Sequence, residues 1–237
     1  MSAVVDYAAA KAKSHTAYFI EKYGKKFRVP GTTTITGVMD KPALVKWANG
    51  LGLQGIESGK YVDVLAETGT LCHWLIQQHV SGVKIDETEL HKVWTGNQID
   101  SAENGFIRFM EWEQKTGFKM IGSELPLVSV KHEFGGTIDL YGCLTLCQNR
   151  MALVDIKTSK AIYGEHRTQV GGGYAILMEE NCKAVDDVII LRVGRTVEEG
   201  FDAQTLTNQQ VGLHQDRFLV CRQLYEANKA IKTVEGW

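Results

Sequence analysis

The sequence has few prolines and no long apolar run. Proline accounts for only 3 of its 237 residues, and no apolar stretch approaches the ~20 residues that a membrane-spanning helix needs. The N-terminal segment includes an acid and lacks the basic stretch that opens a secretory signal. We therefore expect a soluble, cytoplasmic protein with no membrane partner and no low-complexity tail.

The five cysteines do not follow the pattern of a metal site or a disulfide framework. They are odd in number and include no C-x2-C pair, although the spacing of Cys143 and Cys147 would also suit a pair of metal ligands. The nearest pair is predicted to lie close to the end of one strand. We expect reduced, mostly buried thiols at all five positions: Cys72, Cys143, Cys147, Cys182 and Cys221.

A surplus of basic charge is also missing. The net charge is -2 and the isoelectric point is near 6.4, which argues against a protein that coats nucleic acid indiscriminately. An enzyme that acts on nucleic acid needs only a local basic track, and its own carboxylates lower the total charge. Two groups are either such tracks or ordinary surface charge: Lys22, Lys25, Lys26 and Arg28, and Lys157, Lys160 and Arg167.

The chain does have the composition of a globular domain. Apolar residues make up 44% and charged residues 23% of it, which is enough for one well-packed core. Periodicity and breaker residues predict helices at 3–23, 41–49, 61–80, 86–116, 165–180 and 208–232, and extended segments at 25–29, 119–130, 135–146, 151–158, 187–193 and 200–203.

This order of elements predicts one α/β domain over residues 1–237, with a mixed sheet flanked by helices. Residues 1–117 form a mainly helical N-terminal part, and residues 118–237 contain the sheet.

Two carboxylates and a lysine stand out within the predicted strands. Asp139 ends a Gly-Thr-Ile-Asp segment, and an Asp-Ile-Lys segment with Asp155 and Lys157 follows. The polar stretch at 147–150 favours a chain reversal, so pairing of the two strands brings Asp139 and Asp155 together at one end. Asp155 and Lys157 are two positions apart and therefore point to the same face. Because Asp and Lys are disfavoured in strands and costly to bury, this grouping indicates a site.

The chemistry that suits this grouping is metal-dependent phosphodiester hydrolysis. Carboxylates such as Asp139 and Asp155 are the hard oxygen ligands that Mg²⁺ or Mn²⁺ prefers, and these ions activate water and offset charge on the phosphoryl group. Lys157 would position or deprotonate the water and balance charge. The main-chain carbonyl of Ile156 is a further candidate ligand.

Two single residues upstream have both a structural and a functional interpretation. His73 follows Gly69 by one helical turn, so it is either a hydrogen-bonded packing residue or a metal ligand. Gly69 would let this helix approach another backbone closely. Glu124, near the end of a predicted strand, is either a further acid of the site or an exposed charge.

A hydroxyl-rich loop at residues 29–36 is a third candidate. Thr32, Thr33 and Thr34 follow a proline and a glycine, and such a loop presents hydroxyl and backbone N–H groups. It is either a phosphate cradle or a turn whose threonines cap the following helix.

In their order and spacing, these residues resemble the PD-(D/E)XK nuclease superfamily, and within it the RecB-like branch. The matching residues are Gly69 and His73, Glu124, Gly136 to Asp139, Asp155 to Ser159, and Gln169 with Tyr174. Residues 29–49 also look like the loop and helix of the mitochondrial genome maintenance exonuclease and its phage-type relatives. The resemblance implies a restriction-endonuclease-like core with a helical N-terminal elaboration.

The resemblance also implies a cofactor and residue roles. The cofactor would be Mg²⁺, with Mn²⁺ as a substitute, and the iron–sulfur cluster of some related nucleases is not expected because its four-cysteine arrangement is missing. The metal ligands would be His73, Asp139, Asp155 and Ile156, and the catalytic residues Lys157, Asp155, Asp139 and Glu124. The substrate would be contacted by Thr32, Thr33, Thr34, Thr158, Ser159, Gln169 and Tyr174.

By the same resemblance the protein would be a DNA exonuclease that acts on single strands or DNA ends, in replication, recombination or repair of a phage or mobile genome. A recombination or replication protein would be a further partner. One alternative is a duplex-end exonuclease or a structure-specific endonuclease. Another is a non-catalytic DNA-binding or assembly module that kept the fold.

Two departures from the family pattern bear on the site. Gly31 stands where the relatives carry a phosphate-contacting serine. Gln169 and Tyr174 are five positions apart, with three glycines between them, where the family has four. On an α-helix that spacing offsets the two side chains by about 140°. Either the glycines form a bulge that restores the register, or one of the pair lies off the site.

Overall fold

A five-stranded mixed sheet lies at the centre of the computed structural model, which describes Tyr7 and residues 16–236. The strands follow the order β3-β4-β5-β6-β7, and all neighbours are antiparallel except β5 and β6, which are parallel. Their bounds are β3 Phe118–Ser129, β4 Phe134–Leu144, β5 Arg150–Lys157, β6 Asp187–Val193 and β7 Phe201–Leu206. The predicted mixed sheet flanked by helices is confirmed.

A separate two-stranded hairpin and eight α-helices are described around this sheet. The hairpin consists of β1 Tyr18–Lys22 and β2 Lys25–Val29, and the helices are α1 Thr32–Thr36, α2 Pro42–Gly52, α3 Ser58–Val80, α4 Glu87–Leu90, α5 Gly96–Thr116, α6 Gly164–Arg167, α7 Ala175–Glu180 and α8 Asn208–Glu235. A π-helix, Thr168–Tyr174, joins α6 to α7. Within the described ranges, no helix is both long and apolar enough to cross a lipid bilayer.

The sheet has a core on each face. On one face, Val154 and Ile156 of β5 pack with residues of α3 and α5 such as Leu71 and Phe109. On the other face, Leu153 of β5 belongs to a cluster with residues of the π-helix, α7 and α8. Because successive strand residues point to opposite faces, a strand covered on both sides reads as a continuous apolar run. The two faces therefore explain the Ala-Leu-Val sequence that precedes Asp155.

The β4–β5 hairpin forms as the sequence predicts. Gln148 and Asn149 adopt positive φ angles of 61° and 56°, a backbone conformation that asparagine tolerates better than most residues. The strands pair in the register Leu140 to Val154. Asp139 and Asp155 are the next residues along, so both lie where this ladder ends.

The predicted helix at 3–23 is wrong at its C-terminal end. Residues 18–22 form β1, which pairs with β2 through Ile20 opposite Phe27. Tyr23 and Gly24 make the turn with positive φ angles. The extended segment predicted at 25–29 supplies the partner strand, and that pairing overrides the helical preference of the alanine-rich sequence before it. Thr16 and Ala17 are not helical either, and the rest of that prediction lies outside the described residues, apart from the helical Tyr7.

The hydroxyl-rich segment is also not the loop that was predicted. Thr32–Thr36 is a short helix, α1, which begins after Gly31 in an extended conformation with φ -79° and ψ 160°. No side chain caps its N-terminus, so the capping interpretation is wrong as well. Gly31 lies close to the Tyr18 ring, since a Cβ at Gly31 would come within 3.2 Å of it. That contact leaves little room for a larger side chain at this position.

The three glycines at 171–173 allow the π-helix to pack directly on α8 and α1. A Cβ on Gly172 would lie 2.4 Å from the backbone oxygen of His214, and one on Gly173 would lie 2.8 Å from a Thr32 methyl carbon. Real side chains do not make contacts this short, so the glycines are required by close backbone approach.

Replacement of Gly172 by alanine should therefore destabilise the protein, by about 1–3 kcal/mol or more, because the neighbour is backbone and cannot move aside. Gly212 on α8 is the matched control, because no atom lies within 4 Å of a Cβ built there. Gly212→Ala should stabilise the protein by roughly 0.5–1 kcal/mol. Urea unfolding of both variants measures the difference, and equal midpoints would contradict this account of the triglycine.

Candidate metal centre

Asp139 and Asp155 converge at the end of the β4–β5 ladder. The backbone N–H of Ile156 donates a hydrogen bond of 2.8 Å to Asp139 Oδ2. A side chain of β4 thus satisfies a β5 donor at the point where the regular ladder stops. This bond fixes the Asp139 carboxylate beside the segment that carries Asp155 and Lys157.

Asp155 is a buried carboxylate, with 1% of its side chain exposed. Lys157 Nζ lies 2.7 Å from Asp155 Oδ2, so the two form an ion pair on one face of β5, as their spacing predicts. Among the described residues, Oδ1 of Asp155 accepts no hydrogen bond, while the charge on Oδ2 is balanced by the Lys157 ammonium. Buried carboxylate oxygens without donors are rare.

His73 and Glu124 complete a cluster around Asp139. One ligand atom each of His73, Glu124 and Asp139 lies within 4.8 Å of the others, and His73 Nδ1 is 3.6 Å from Asp139 Oδ2. Asp155 lies behind this trio, against Lys157. The structure therefore brings together two of the side chains that the resemblance implies as metal ligands, His73 and Asp139, and it adds Glu124 to them.

Glu124 has an unusual backbone. Its φ angle is 48°, a strained value for a residue other than glycine. Ser123 and Leu125 on either side pair with Leu140 and Ile138, so Glu124 lies across from Asp139. Strain of this kind is retained where a side chain must be aimed. Here it directs the carboxylate towards Asp139.

Gly69 brings helix α3 close to the end of β5, as the sequence predicts. A Cβ at this position would lie 2.7 Å from Thr158 Oγ1. One turn later, His73 reaches the carboxylates. Thr158 therefore sits between the helix and the site, while the neighbouring Ser159 donates its hydroxyl hydrogen to the carbonyl of Ala161.

Burial raises the pKa of every carboxylate of this group. Loss of hydration raises the pKa of Glu124 to about 7, with Asp139 and Asp155 adding to the shift. Loss of hydration also raises the pKa of Asp155 to about 6, although Lys157 opposes the shift. The pKa of Asp139 is raised by burial too. Crowded carboxylates with raised pKa values are typical of functional sites.

The two basic side chains respond in opposite directions. Burial lowers the pKa of His73 to about 4, helped by Lys157 and opposed by Asp155 and a backbone hydrogen bond to Ile156. His73 is therefore neutral at pH 7, which is the form that binds a metal. Burial also acts to lower the pKa of Lys157, but Asp155 and Asp139 outweigh it and raise the pKa. Lys157 therefore carries its charge.

The π-helix resolves the register of Gln169 and Tyr174. A π-helix has its hydrogen bonds between residues i and i+5, so side chains five positions apart lie on the same face. Gln169 Nε2 accordingly donates a 2.7 Å hydrogen bond to the Tyr174 hydroxyl. The pKa of Tyr174 is raised well above its ordinary value, by burial first and then by Asp155 and Asp139. The side chain of Thr32 is a further hydrogen-bond partner of this hydroxyl.

The residues present fit a hard divalent cation. The carboxylates of Glu124 and Asp139 converge with the neutral imidazole of His73, and Oδ1 of the nearby buried Asp155 has no hydrogen-bond donor among the described residues. A cation would satisfy that oxygen and remove the repulsion that raises the pKa values. An all-apolar or single-acid pocket would offer neither.

Only some of the predicted threonines and basic residues are exposed in the groove beside the carboxylates. Thr33 and Thr34 are exposed and line the same groove as Glu124 and Asp139, whereas Thr32 is buried. Of the first basic group, Arg28 lines this groove, Lys22 pairs with Glu133, and Lys26 lies 4.7 Å from the centre of the Phe19 ring. In the second group only Lys157 contacts the carboxylates, because Arg167 donates to Gln204.

Sequence reasoning did not single out three neighbours of the site. Tyr18 packs on Gly135 and its hydroxyl is 2.9 Å from Thr137 Oγ1. Tyr225 and Lys229 of α8 line the same groove as Tyr18, Glu124 and Asp139. The only sequence signal was the pair of glycines at 135–136, because a Cβ at Gly135 would lie 2.2 Å from the Tyr18 ring.

Comparison with known proteins gives only weak likeness to solved structures. The chain matches no protein-family profile and no curated protein. Among solved structures it is similar to the crystal structure of SSO0001, with 14% sequence identity and a TM-score of 0.31, over 70% of this chain and 94% of that one. A likeness at this level supports no statement about activity.

Proposed function

We propose that this protein is a metal-dependent deoxyribonuclease of the PD-(D/E)XK type, acting on single strands or ends of DNA. The observation that carries the proposal is the cluster of His73, Glu124 and Asp139, whose ligand atoms lie within 4.8 Å of one another, together with the buried Asp155–Lys157 ion pair, in which Asp155 Oδ1 has no hydrogen-bond donor among the described residues. A structural ion pair would have its oxygens satisfied by the protein. A site built to receive a cation leaves an oxygen open.

The residues divide into holding and positioning roles. Asp139, Asp155, Glu124 and His73 would hold Mg²⁺, together with the Ile156 carbonyl. When bound, the ion supplies an activated water and offsets charge on the phosphoryl group. Lys157 stabilises negative charge that develops on the phosphate, because its ammonium group is kept protonated by the adjacent carboxylates.

The pair of Gln169 and Tyr174 positions the wall of the site opposite the metal ligands. Their hydrogen bond holds the Tyr174 hydroxyl, and Tyr174 lines the groove beside Asp139. The helix α1 contributes the hydroxyl groups of Thr33 and Thr34 to the same wall. Polar groups of this kind position a phosphate backbone without reading its sequence.

The test is cleavage of labelled DNA with and without divalent metal. Single-stranded and duplex oligonucleotides, labelled at either the 5′ or the 3′ end, are incubated with Mg²⁺, Mn²⁺ or a chelator. We expect cleavage of single-stranded DNA or DNA ends with either metal and none with chelator. A wild-type protein that binds DNA but does not cut it under any of these conditions would favour the non-catalytic module instead.

A further inference from the structure

A polar groove of about 710 Å³ leads from Glu124 and Asp139 past α1 to Tyr225 and Lys229 on α8. Arg28 of the β1–β2 hairpin lines it as well. A volume of this size holds a drug-sized molecule, which is the scale of a short piece of one nucleic-acid strand. The groove is continuous with the candidate metal centre, so whatever occupies it passes the carboxylates.

The groove is lined by charges of both signs. The acids Glu124 and Asp139 and the cations Arg28 and Lys229 all line it, together with threonine hydroxyl groups. Cations attract backbone phosphates, whereas the acids admit a phosphate only where a metal ion neutralises them. This combination fits a polyanion that has one phosphate at the metal and others at the two cations.

Tyr225 is held in place from below. The Arg222 guanidinium carbon lies 5.9 Å from the centre of the Tyr225 ring. Arg222 is itself buried, and it donates hydrogen bonds to the carbonyls of His132 and Glu133 and to the Glu226 carboxylate. An aromatic ring supported in this way loses little conformational freedom when a base stacks on it.

The tryptophans do not provide a ring for base stacking in the groove. Trp94 and Trp112 are buried in the core, and no tryptophan of the described residues lines the groove. Its aromatic lining comes from three tyrosines instead. Of these, Tyr174 and Tyr18 make hydrogen bonds to Gln169 and Thr137, which leaves Tyr225 as the ring best placed to stack.

We propose that this groove binds one strand of DNA, with a base stacked on Tyr225 and backbone phosphates at Arg28 and Lys229. The inference rests on the proposed function, and it assigns that function a single-stranded substrate and three binding residues outside the metal centre. Stacking on a protein ring needs an unpaired base, and it tolerates any base because each has an aromatic face. The groove therefore selects strand state and not sequence.

The first test measures binding apart from cleavage. In a Lys157→Ala background with Mg²⁺, fluorescence anisotropy follows a labelled oligo-dT, with a duplex and an oligoribonucleotide of equal length as competitors. Tyr225→Ala should weaken binding of the single strand roughly tenfold, which is the order expected for loss of one stacked base. Tyr225→Phe should restore it, because the ring is kept. Equal binding by all three proteins, or tighter binding of the duplex or the RNA, would overturn the proposal.

The second test uses the salt dependence of the same binding. Each phosphate contact that is lost from a single strand should reduce the slope of log K against log salt by about 0.7. We expect that reduction for Arg28→Ala and for Lys229→Ala. Lys119→Ala is the matched control, because Lys119 lies opposite Cys143 at the far end of β3 and lines a different cavity. Slopes that are unchanged in the first two variants, or equally reduced in the control, would contradict the assignment.

These results separate the two proposals. If wild-type protein cuts DNA and the Tyr225 and Arg28 variants bind and cut like it, the groove assignment fails and the nuclease assignment stands. If wild-type protein does not cut, but binding depends on Tyr225, Arg28 and Lys229, the groove assignment stands and the nuclease assignment fails. Thermal melting of each variant with Mg²⁺ establishes that the protein is folded.

Discussion

Replacing Lys157 with alanine should lower kcat for DNA cleavage by about 10²- to 10³-fold, the usual effect of removing one group that stabilises transition-state charge. Lys157 Nζ lies 2.7 Å from Asp155 Oδ2, so it is the cation nearest to the proposed reaction centre. Its raised pKa keeps it protonated in this structure. Charge stabilisation and positioning of water are therefore favoured over proton abstraction, the other role that the sequence left open.

The Lys157 variant needs two comparisons. Lys157→Met keeps most of the side-chain volume without the charge, so it should be as inactive as Lys157→Ala if charge is what matters. Lys160→Ala removes an exposed lysine three residues further along the chain and should change kcat by no more than a few fold. Initial rates at saturating DNA and Mg²⁺ measure these effects. Near-normal cleavage by Lys157→Met would show that the charge has no role in the reaction.

The carboxylate pair could be predicted because its determinants are local. A polar reversal between two apolar strands sets the register of a hairpin, and the register alone places Asp139 opposite Asp155. The same argument puts Lys157 on the face of Asp155. The structure agrees on each point, since Leu140 pairs with Val154 and the ion pair is formed.

The sequence left open whether Gln169 and Tyr174 lie on the same face of their helix. Whether residues five apart share a face depends on whether the helix is α or π, and that is decided by packing against a distant element. Here the triglycine lies against His214 and Phe218 of α8. The glycines were visible in the sequence, but what approaches them was not.

The groove residues of α8 could not be predicted from the sequence either, because packing between distant segments places them. The periodicity of α8 identifies the side that faces the core, with Phe218 buried. It does not indicate which other residues of that helix line the groove. Tyr225 and Lys229 reach the groove because α8 crosses the π-helix and α1, and that crossing depends on contacts between segments far apart in the chain.

Removing the Asp155 carboxylate should raise the stability of the metal-free protein and abolish the further stabilisation that Mg²⁺ provides. In chelator at pH 7.5, Asp155→Asn should be more stable than wild type by on the order of 3 kcal/mol, since one unit of pKa shift corresponds to about 1.4 kcal/mol. The reason is that the pKa of Asp155 is raised to about 6 from an ordinary value of 3.8. Between these two values the folded protein binds more protons than the unfolded chain, so the free energy of unfolding falls as pH rises and stays lowered at neutral pH.

The same substitution should abolish the stabilisation of wild-type protein by Mg²⁺, which we expect to reach about 2.7 kcal/mol when the metal concentration is a hundred times the dissociation constant. It should also abolish cleavage. Urea midpoints at pH 5 and pH 7.5, each with chelator and with Mg²⁺, measure both effects, and Asp202→Asn on the exposed edge strand β7 serves as the control that should behave like wild type. If Asp155→Asn still gains stability from Mg²⁺, or is less stable than wild type in chelator at pH 7.5, Asp155 is a structural residue and the metal centre must be built on Glu124, His73 and Asp139 alone.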